Sequence, residues 1–414
     1  MTNPPSLIYA ELLPNIRQIS VLAALPTPSD STTRVSLSAD RAVLTLVHNG
    51  VTASLQLPGA IAPTYTPTQP HPTLAQLSWR IPLVASPSEP RAAPSLPAPW
   101  SAGTLANTSS FSCRGCGQII LFPGRVATWR DLPSENWAEM MEFWHCHKPD
   151  VPIGEKGEEE GGDNTMKGYG ANTRMIAQKG VGKVDLTYFL LDNEDCTGLE
   201  TSPSSLTLTC GSCAAHIGTS TPAGYQLYKW SLALTTPLTS STSSPTTQLA
   251  PTCPPPPYFL LPQLHAQSSA LGVSKFIIRP PPPPADAEIE SDADAEVGVY
   301  VWLFAPSLTV SFSSLSSSLS SSSPPYTSLR DTPPPPLPAS KLLFRPTPPR
   351  DEATALLDAP NSAVEEVRLP ASVVRAFTSL LQESNARLPE GARAFAGGWD
   401  VGILEVWDGG EGGV

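Results

Sequence analysis

The chain is poor in basic residues. Lys and Arg together number 25 against 37 Asp and Glu over 414 residues, for a formal charge of −12. Phosphate-driven nucleic-acid binding needs a concentrated basic surface, so direct binding of nucleic acid is excluded, and a polybasic membrane surface with it. No apolar run approaches the roughly 20 residues that span a bilayer, and the opening MTNPPSLIYAELLPNI lacks a basic segment followed by a long apolar one. The sequence therefore predicts no membrane association and no secretory signal. Cysteine is also scarce: there are seven, an odd number, and none follows Cys253. Four of the seven form two CxxC pairs, which in a long unsecreted chain favours metal over disulfides. A reducing compartment, cytosol or nucleus, is expected.

What the chain has in excess is proline, 49 residues, with 28 glycines. Three tracts concentrate this bias: residues 235–257, 280–296 and 313–338, none of which holds enough apolar surface to order itself. Setting aside all the Pro/Ser-rich and spacer stretches of the chain leaves very roughly 280 foldable residues, enough to bury a sizeable core. Alternating apolar and polar residues with turn signals at SAD and HNG predict a β-meander over 7–60. Further strands are expected in LSWRIPLV, QIILF, VDLTYFLL, LTLTC, YQLYKWSLAL, KFIIRP, VGVYVWLFAPSLTVSF, KLLFRP and WDVGILEVW, with a helix over 371–388. These elements predict a β-rich α+β fold. It would have antiparallel sheets, a zinc-ribbon-like insertion, few helices and long disordered Pro/Ser loop insertions. Three regions follow: an N-terminal β-rich region 1–106, a central zinc-binding region 107–235 and a C-terminal β-rich region 236–414. The spacers read as insertions into one domain.

The chemistry concentrates in the centre. Cys113-x2-Cys116-Gly117 is a compact knuckle in which two thiolates clasp a metal from a tight turn and the glycine relaxes the backbone. Cys210-Gly211-Ser212-Cys213 is its counterpart at the end of a strand. Four thiolates complete a closed tetrahedral site of the structural kind, and one shared Zn2+ is expected. The intervening 93 residues exceed the 15–20 of a compact ribbon, which leaves open two unrelated pairs, one of them redox-active. His216 is either a substitute ligand or a surface residue. The acidic stretch 154–164 reads as a solvated insertion.

Between the knuckles, LPSENWAEMMEFWHCHKP predicts a helix. Ser134 is a good N-cap, Glu135 suits the positive end of the dipole, and Trp137, Met140, Met141 and Trp144 form one apolar stripe. Pro149 ends it near Cys146. Cys146 points away from the stripe beside His145, His147 and Lys148, whose charge favours a thiolate, while the helix C-terminus disfavours one. Cys146 is thus either a nucleophile or, with His147, a packing residue or ligand of the metal region. Cys196 lies among Asp192, Glu194 and Asp195, which oppose its ionisation.

The succession CxxC, LPSENWxEMxxxWxCHKP, GKVDLTYFLL and LTLTCxxCxxxIG resembles the HECT-like ubiquitin-protein ligase family that binds ubiquitin-conjugating enzymes. The similarity is strongest over 112–218 and extends weakly from YAELLPNIR to FAGGWDVGILEV. The resemblance implies a ligase that accepts ubiquitin from a conjugating enzyme and passes it to a lysine of a substrate or of itself. It also implies links to cyclin and to pre-mRNA 3′-end processing factors, in cytosol and nucleus. Within it, Cys113, Cys116, Cys210 and Cys213 match the family's paired cysteines, and Cys146 and His147 its Cys-His. The absence of a thiol after Cys253 argues against a thioester on a C-terminal lobe, and a RING-type mechanism fits badly, since its two zincs need eight ligands and one site is evident. Cys146 is then the best thioester candidate. The competing expectation is a non-catalytic zinc-stabilised scaffold for a conjugating enzyme, a cyclin or a 3′-end processing subunit.

Overall fold

Strand β1 (Leu7–Leu13) turns through a 3-10 segment at Pro14–Ile16 into β2 (Gln18–Ala24), with Arg17 in the left-handed region at φ 54. This computed structural model describes residues 6–84, 96–132, 175–202, 206–235, 251–281, 297–313, 333–359 and 362–407. They divide into two compact units, Met1–Pro97 with Pro256–Val414, and Ala98–Pro255. The helix expected over Ser134–Cys146, the acidic stretch 154–164 and most of the three Pro/Ser tracts lie outside the described residues, as do Cys146 and His147.

In the first unit, β3 (Arg34–Leu37), β4 (Val43–His48) and β5 (Val51–Gln56) form an antiparallel meander, whereas β1 and β2 pair in a different sheet, so the single meander expected over 7–60 is split in two. The β4–β5 turn is Asn49-Gly50, both with positive φ, which matches the twist of a tight hairpin. β6 (Gln76–Pro82) pairs with β2. Period-two alternation then sorts the side chains. Ile8 and Ala10 of β1, Ile19 and Val21 of β2, and Trp79 and Ile81 of β6 meet Leu44, Leu46 and Leu55 of the meander in one core.

The second unit contains β7 (Ser110–Cys113), β8 (Ile119–Leu121), β9 (Thr128–Asp131), β10 (Val181–Val184), β11 (Tyr188–Leu191), β12 (Leu199–Thr201), β13 (Thr207–Cys210), β14 (His216–Thr221), β15 (Gly224–Tyr228) and β16 (Leu232–Thr235). Among the described residues they form a seven-stranded sheet, β12-β13-β14-β15-β11-β10-β9, and a three-stranded one, β16-β7-β8. The stretch YQLYKWSLAL does not run as one strand. A 3-10 turn at Lys229–Ser231 breaks it and hands the chain from the first sheet to the second.

The first unit resumes with α1 (Pro257–Leu271), β17 (Lys275–Arg279), β18 (Val299–Phe312), β19 (Leu337–Pro346), α2 (Arg350–Leu357), β20 (Val364–Arg368), α3 (Ala371–Ala386), β21 (Ala394–Phe395) and β22 (Trp399–Glu405). The main path runs β21-β22-β19-β18-β1-β2-β6, and β17 joins β18 to β20. Helix α3 is amphipathic, burying Val373, Val374, Phe377 and Leu381, and Leu381 occupies the space above Gly402 of β22, where a Cβ would come within 2.6 Å of it. Ser384 locks the pair by accepting from Ile403 N–H and donating to its carbonyl. The described residues are thus strand-rich with three α-helices. Their sheets are antiparallel except at β9/β10 and β17/β20, which pair in parallel.

Candidate metal centre

Each CxxC pair sits on the turn of a hairpin, β7–β8 for the first and β13–β14 for the second. The two turns repeat one hydrogen-bond plan. Cys113 N–H donates to Gln118 O (2.8 Å) and Gly117 N–H to Cys113 O (2.8 Å). In the other, Cys210 N–H donates to Ala215 O (2.9 Å) and Ala214 N–H to Cys210 O (2.8 Å). The fifth residue of each turn is left-handed: Gly117 at φ +76 and Ala214 at φ 56. The glycine was foreseeable. Ala214 in the same conformation was not, because alanine carries no such signal.

The turns bring the four cysteines of Cys113, Cys116, Cys210 and Cys213 together, every sulfur within 4.8 Å of the others. Cys113 Sγ lies 3.6 Å from Cys213 Sγ, and Cys116 Sγ 3.6 Å from Cys210 Sγ. A tetrahedral zinc with Zn–S bonds of about 2.3 Å would space its sulfurs about 3.8 Å apart. The donor set therefore fits one four-thiolate ion. Cys113 and Cys210 are buried, Cys116 and Cys213 exposed.

Backbone amides surround the sulfurs. Burial pushes the Cys113 thiol up to about 12, against the N–H groups of Cys116 and Gly115. At Cys210 burial also acts upward, but the N–H groups of Ser212 and Cys213 and the thiols of Cys116 and Cys213 outweigh it, bringing the group down to about 7. Donors aimed at sulfur stabilise the thiolate form a metal requires.

A third segment clamps the hairpins. Thr197 N–H donates to Ile120 O (2.8 Å) and Gly211 N–H to Gly198 O (2.9 Å). Gly198 has φ +64, and a Cβ there would meet the Gln118 side chain at 3.1 Å and Ile119 O at 3.3 Å. Ser212 Oγ bonds Gln118 Oε1 (3.1 Å), one turn directly to the other. Arg114 holds the first turn in place, its backbone N–H donating to Ser231 O (3.0 Å) and its guanidinium to Pro254 O (2.9 Å). None of these partners was visible in the sequence, since each is distant along the chain and has no motif.

His216 stands outside the cluster. Its Nε2 pairs with Gly218 O (2.9 Å), its ring meets Tyr228 edge-on, and burial lowers its pKa. Cys196 is half-buried, and burial, then Asp195 and Asp192, push its thiol up to about 12. Cys253 is pushed up by burial, with Arg114 acting against it.

The same unit holds a ring cluster. Phe111 contacts Phe189 (4.7 Å between centroids), Trp100 (5.6 Å) and Trp129 (5.9 Å). Lys229 is buried beside Phe189, its Nζ 5.2 Å from that ring's centroid and donating to Pro99 O (3.2 Å).

A family model described as HECT-like ubiquitin-conjugating enzyme (E2)-binding matches residues 11–401. An uncharacterized protein of Saccharomyces cerevisiae is 29% identical over 138 residues, covering 33% of this chain and 37% of that protein. An uncharacterized protein of Schizosaccharomyces pombe is 38% identical over 53 residues, 12% of this chain and 15% of that protein. The matched stretches thus span well under half the length of either relative. No solved structure matches the chain.

Proposed function

The chain belongs to the HECT-like ubiquitin-conjugating enzyme (E2)-binding family, and from that premise we propose that it is a ubiquitin-protein ligase. It binds a ubiquitin-conjugating enzyme and promotes passage of ubiquitin to a lysine of a substrate or of itself. The observation that carries this reading is the family match over 11–401, nearly the whole chain. One zinc on Cys113, Cys116, Cys210 and Cys213 serves as a staple. Four protein thiolates leave it no open position, so its part is structural.

The thioester step is assigned to Cys146, with His147 beside it. The Cys146 thiolate attacks the thioester carbonyl of the charged enzyme and expels that enzyme's thiolate. A lysine amine then attacks the new thioester and releases Cys146. The test is to mix the chain with ubiquitin-loaded conjugating enzyme and follow ubiquitin adducts on non-reducing gels. A reductant-sensitive adduct lost in Cys146→Ser and kept in Cys196→Ser supports the step. Binding without any adduct refutes it.

The second reading is a non-catalytic scaffold that holds a conjugating enzyme, a cyclin or a pre-mRNA 3′-end processing subunit. It is favoured by the thiols themselves: among the described residues, four belong to the metal cluster, and Cys196 and Cys253 are both pushed up by burial.

A further inference from the structure

Strand β18 places Tyr300, Trp302 and Phe304 on one face by simple alternation. The register with β19 then shifts between Leu303 and Ala305 and again before Leu308, so Phe304 sits at the start of a bulged stretch. Bulges re-aim side chains and are over-represented at sheet edges and beside functional sites. Here Phe304 is 42% exposed, and it meets another exposed ring, Phe395 of β21 (40%), at 5.2 Å between centroids. Trp302 lies edge-on to both, at 5.4 and 6.2 Å, and rests on buried Trp399 at 6.0 Å.

The base of this platform is packed into the core. Tyr300 and Trp399 belong to the hydrophobic cluster of the sheet with partly buried Trp302 packed against it, and the Arg345 guanidinium lies over Tyr300 (5.0 Å) and Trp399 (4.6 Å). At its edge Lys275 Nζ lies 4.9 Å over the Trp302 ring. Phe304 and Phe395 are the exposed aromatic side chains whose rings meet among the described residues. A contiguous exposed aromatic surface on a well-packed sheet marks a protein-binding site, and aromatic anchors of this type dominate interface energetics. The cations along it stand out in a chain of net charge −12, and they call for carboxylates on the occupant.

We propose that the Trp302–Phe304–Phe395 platform is where the ubiquitin-conjugating enzyme docks. An apolar loop of that enzyme covers Phe304 and Phe395, and one of its carboxylates faces Lys275. This rests on the conjugating-enzyme-binding reading above. It adds where the partner sits and what chemistry its contact face carries.

The experiment measures affinity of the full chain for a panel of purified, uncharged conjugating enzymes by calorimetry. The Phe304→Ala/Phe395→Ala variant is expected to lose about tenfold or more in affinity for every enzyme that wild type binds, with an unchanged unfolding midpoint. Lys275→Glu is expected to weaken binding several-fold and to reduce its salt dependence. Phe122→Ala, an exposed aromatic in the other unit, should bind as wild type does. If wild type binds and the double variant binds equally well, the platform proposal is overturned while the binding reading stands. If wild type binds no enzyme of the panel, the binding reading fails and the platform proposal with it. Should the double variant unfold, Lys275→Glu decides alone, and unchanged affinity there overturns the proposal.

Discussion

Cys113 Sγ lies 3.6 Å from Cys213 Sγ although the residues are 100 positions apart. The two knuckles share one hydrogen-bond plan, and at their matching fifth position left-handed Gly117 stands against left-handed Ala214. A Cβ at Gly117 would meet nothing within 4 Å, so its substitution is a matter of backbone conformation alone. Gly117→Ala is expected to destabilise the metal-loaded protein by about 1 kcal/mol, and Ala214→Gly to stabilise it by a similar ~1 kcal/mol or less. Denaturant midpoints of the two variants, moving in opposite directions, check this.

Buried Lys229 gives stability a definite pH slope. Burial lowers its pKa to about 7, and the charges of Asp185 and Asp131 only partly oppose that. In the unfolded chain a lysine holds its proton up to about pH 10.4. Between the two values the unfolded state binds more protons, so stability contributed at this site rises with pH from about 7 to about 10. Lys229→Met removes the buried cation, and its stability should exceed wild type at pH 7 with the difference shrinking towards pH 10. Urea midpoints of both proteins across that range measure it; a constant difference contradicts the expectation.

Gly218 of β14 faces Leu227 of β15 so closely that a Cβ would overlap the Gln226 carbonyl oxygen and lie 3.0 Å from Leu227 Cα. The obstruction is backbone, which cannot swing aside. Gly218→Ala is expected to destabilise the second unit by about 3 kcal/mol and to loosen the hairpin that carries Cys210 and Cys213. Thermal unfolding and a competition assay with a zinc chelator would both register the change.

Local signals carried much of the architecture. The Asn49-Gly50 turn, the alternation of β4, the apolar spacing of α3 and the run of β22 are all readable from neighbouring residues. The knuckles are readable for the same reason, and pairing them across 93 residues follows from needing four ligands. What stayed hidden depends on distant partners. Nothing near Tyr9 announces its pairing with Phe312. The parallel strands β9 and β20 are short and largely polar on the surface, TWRD and VEEVR, with no clean alternation. Helix α1 is masked by its proline-rich entry and by Pro262 within it, yet it buries Phe259, Leu260, Leu261 and Leu264 and stops at left-handed Gly272. The stretch YQLYKWSLAL reads as one strand, whereas the 3-10 turn within it carries Lys229 against the Phe189 ring.

The shared four-thiolate centre is tested most directly by native mass spectrometry of the purified chain, read alongside unfolding of the second unit. The account predicts one zinc per chain. It predicts none in Cys113→Ser or Cys210→Ser, with the unit Ala98–Pro255 unfolded in each, since structural zinc contributes on the order of 10 kcal/mol to small domains. Full zinc occupancy after both cysteines of either pair are replaced would contradict it.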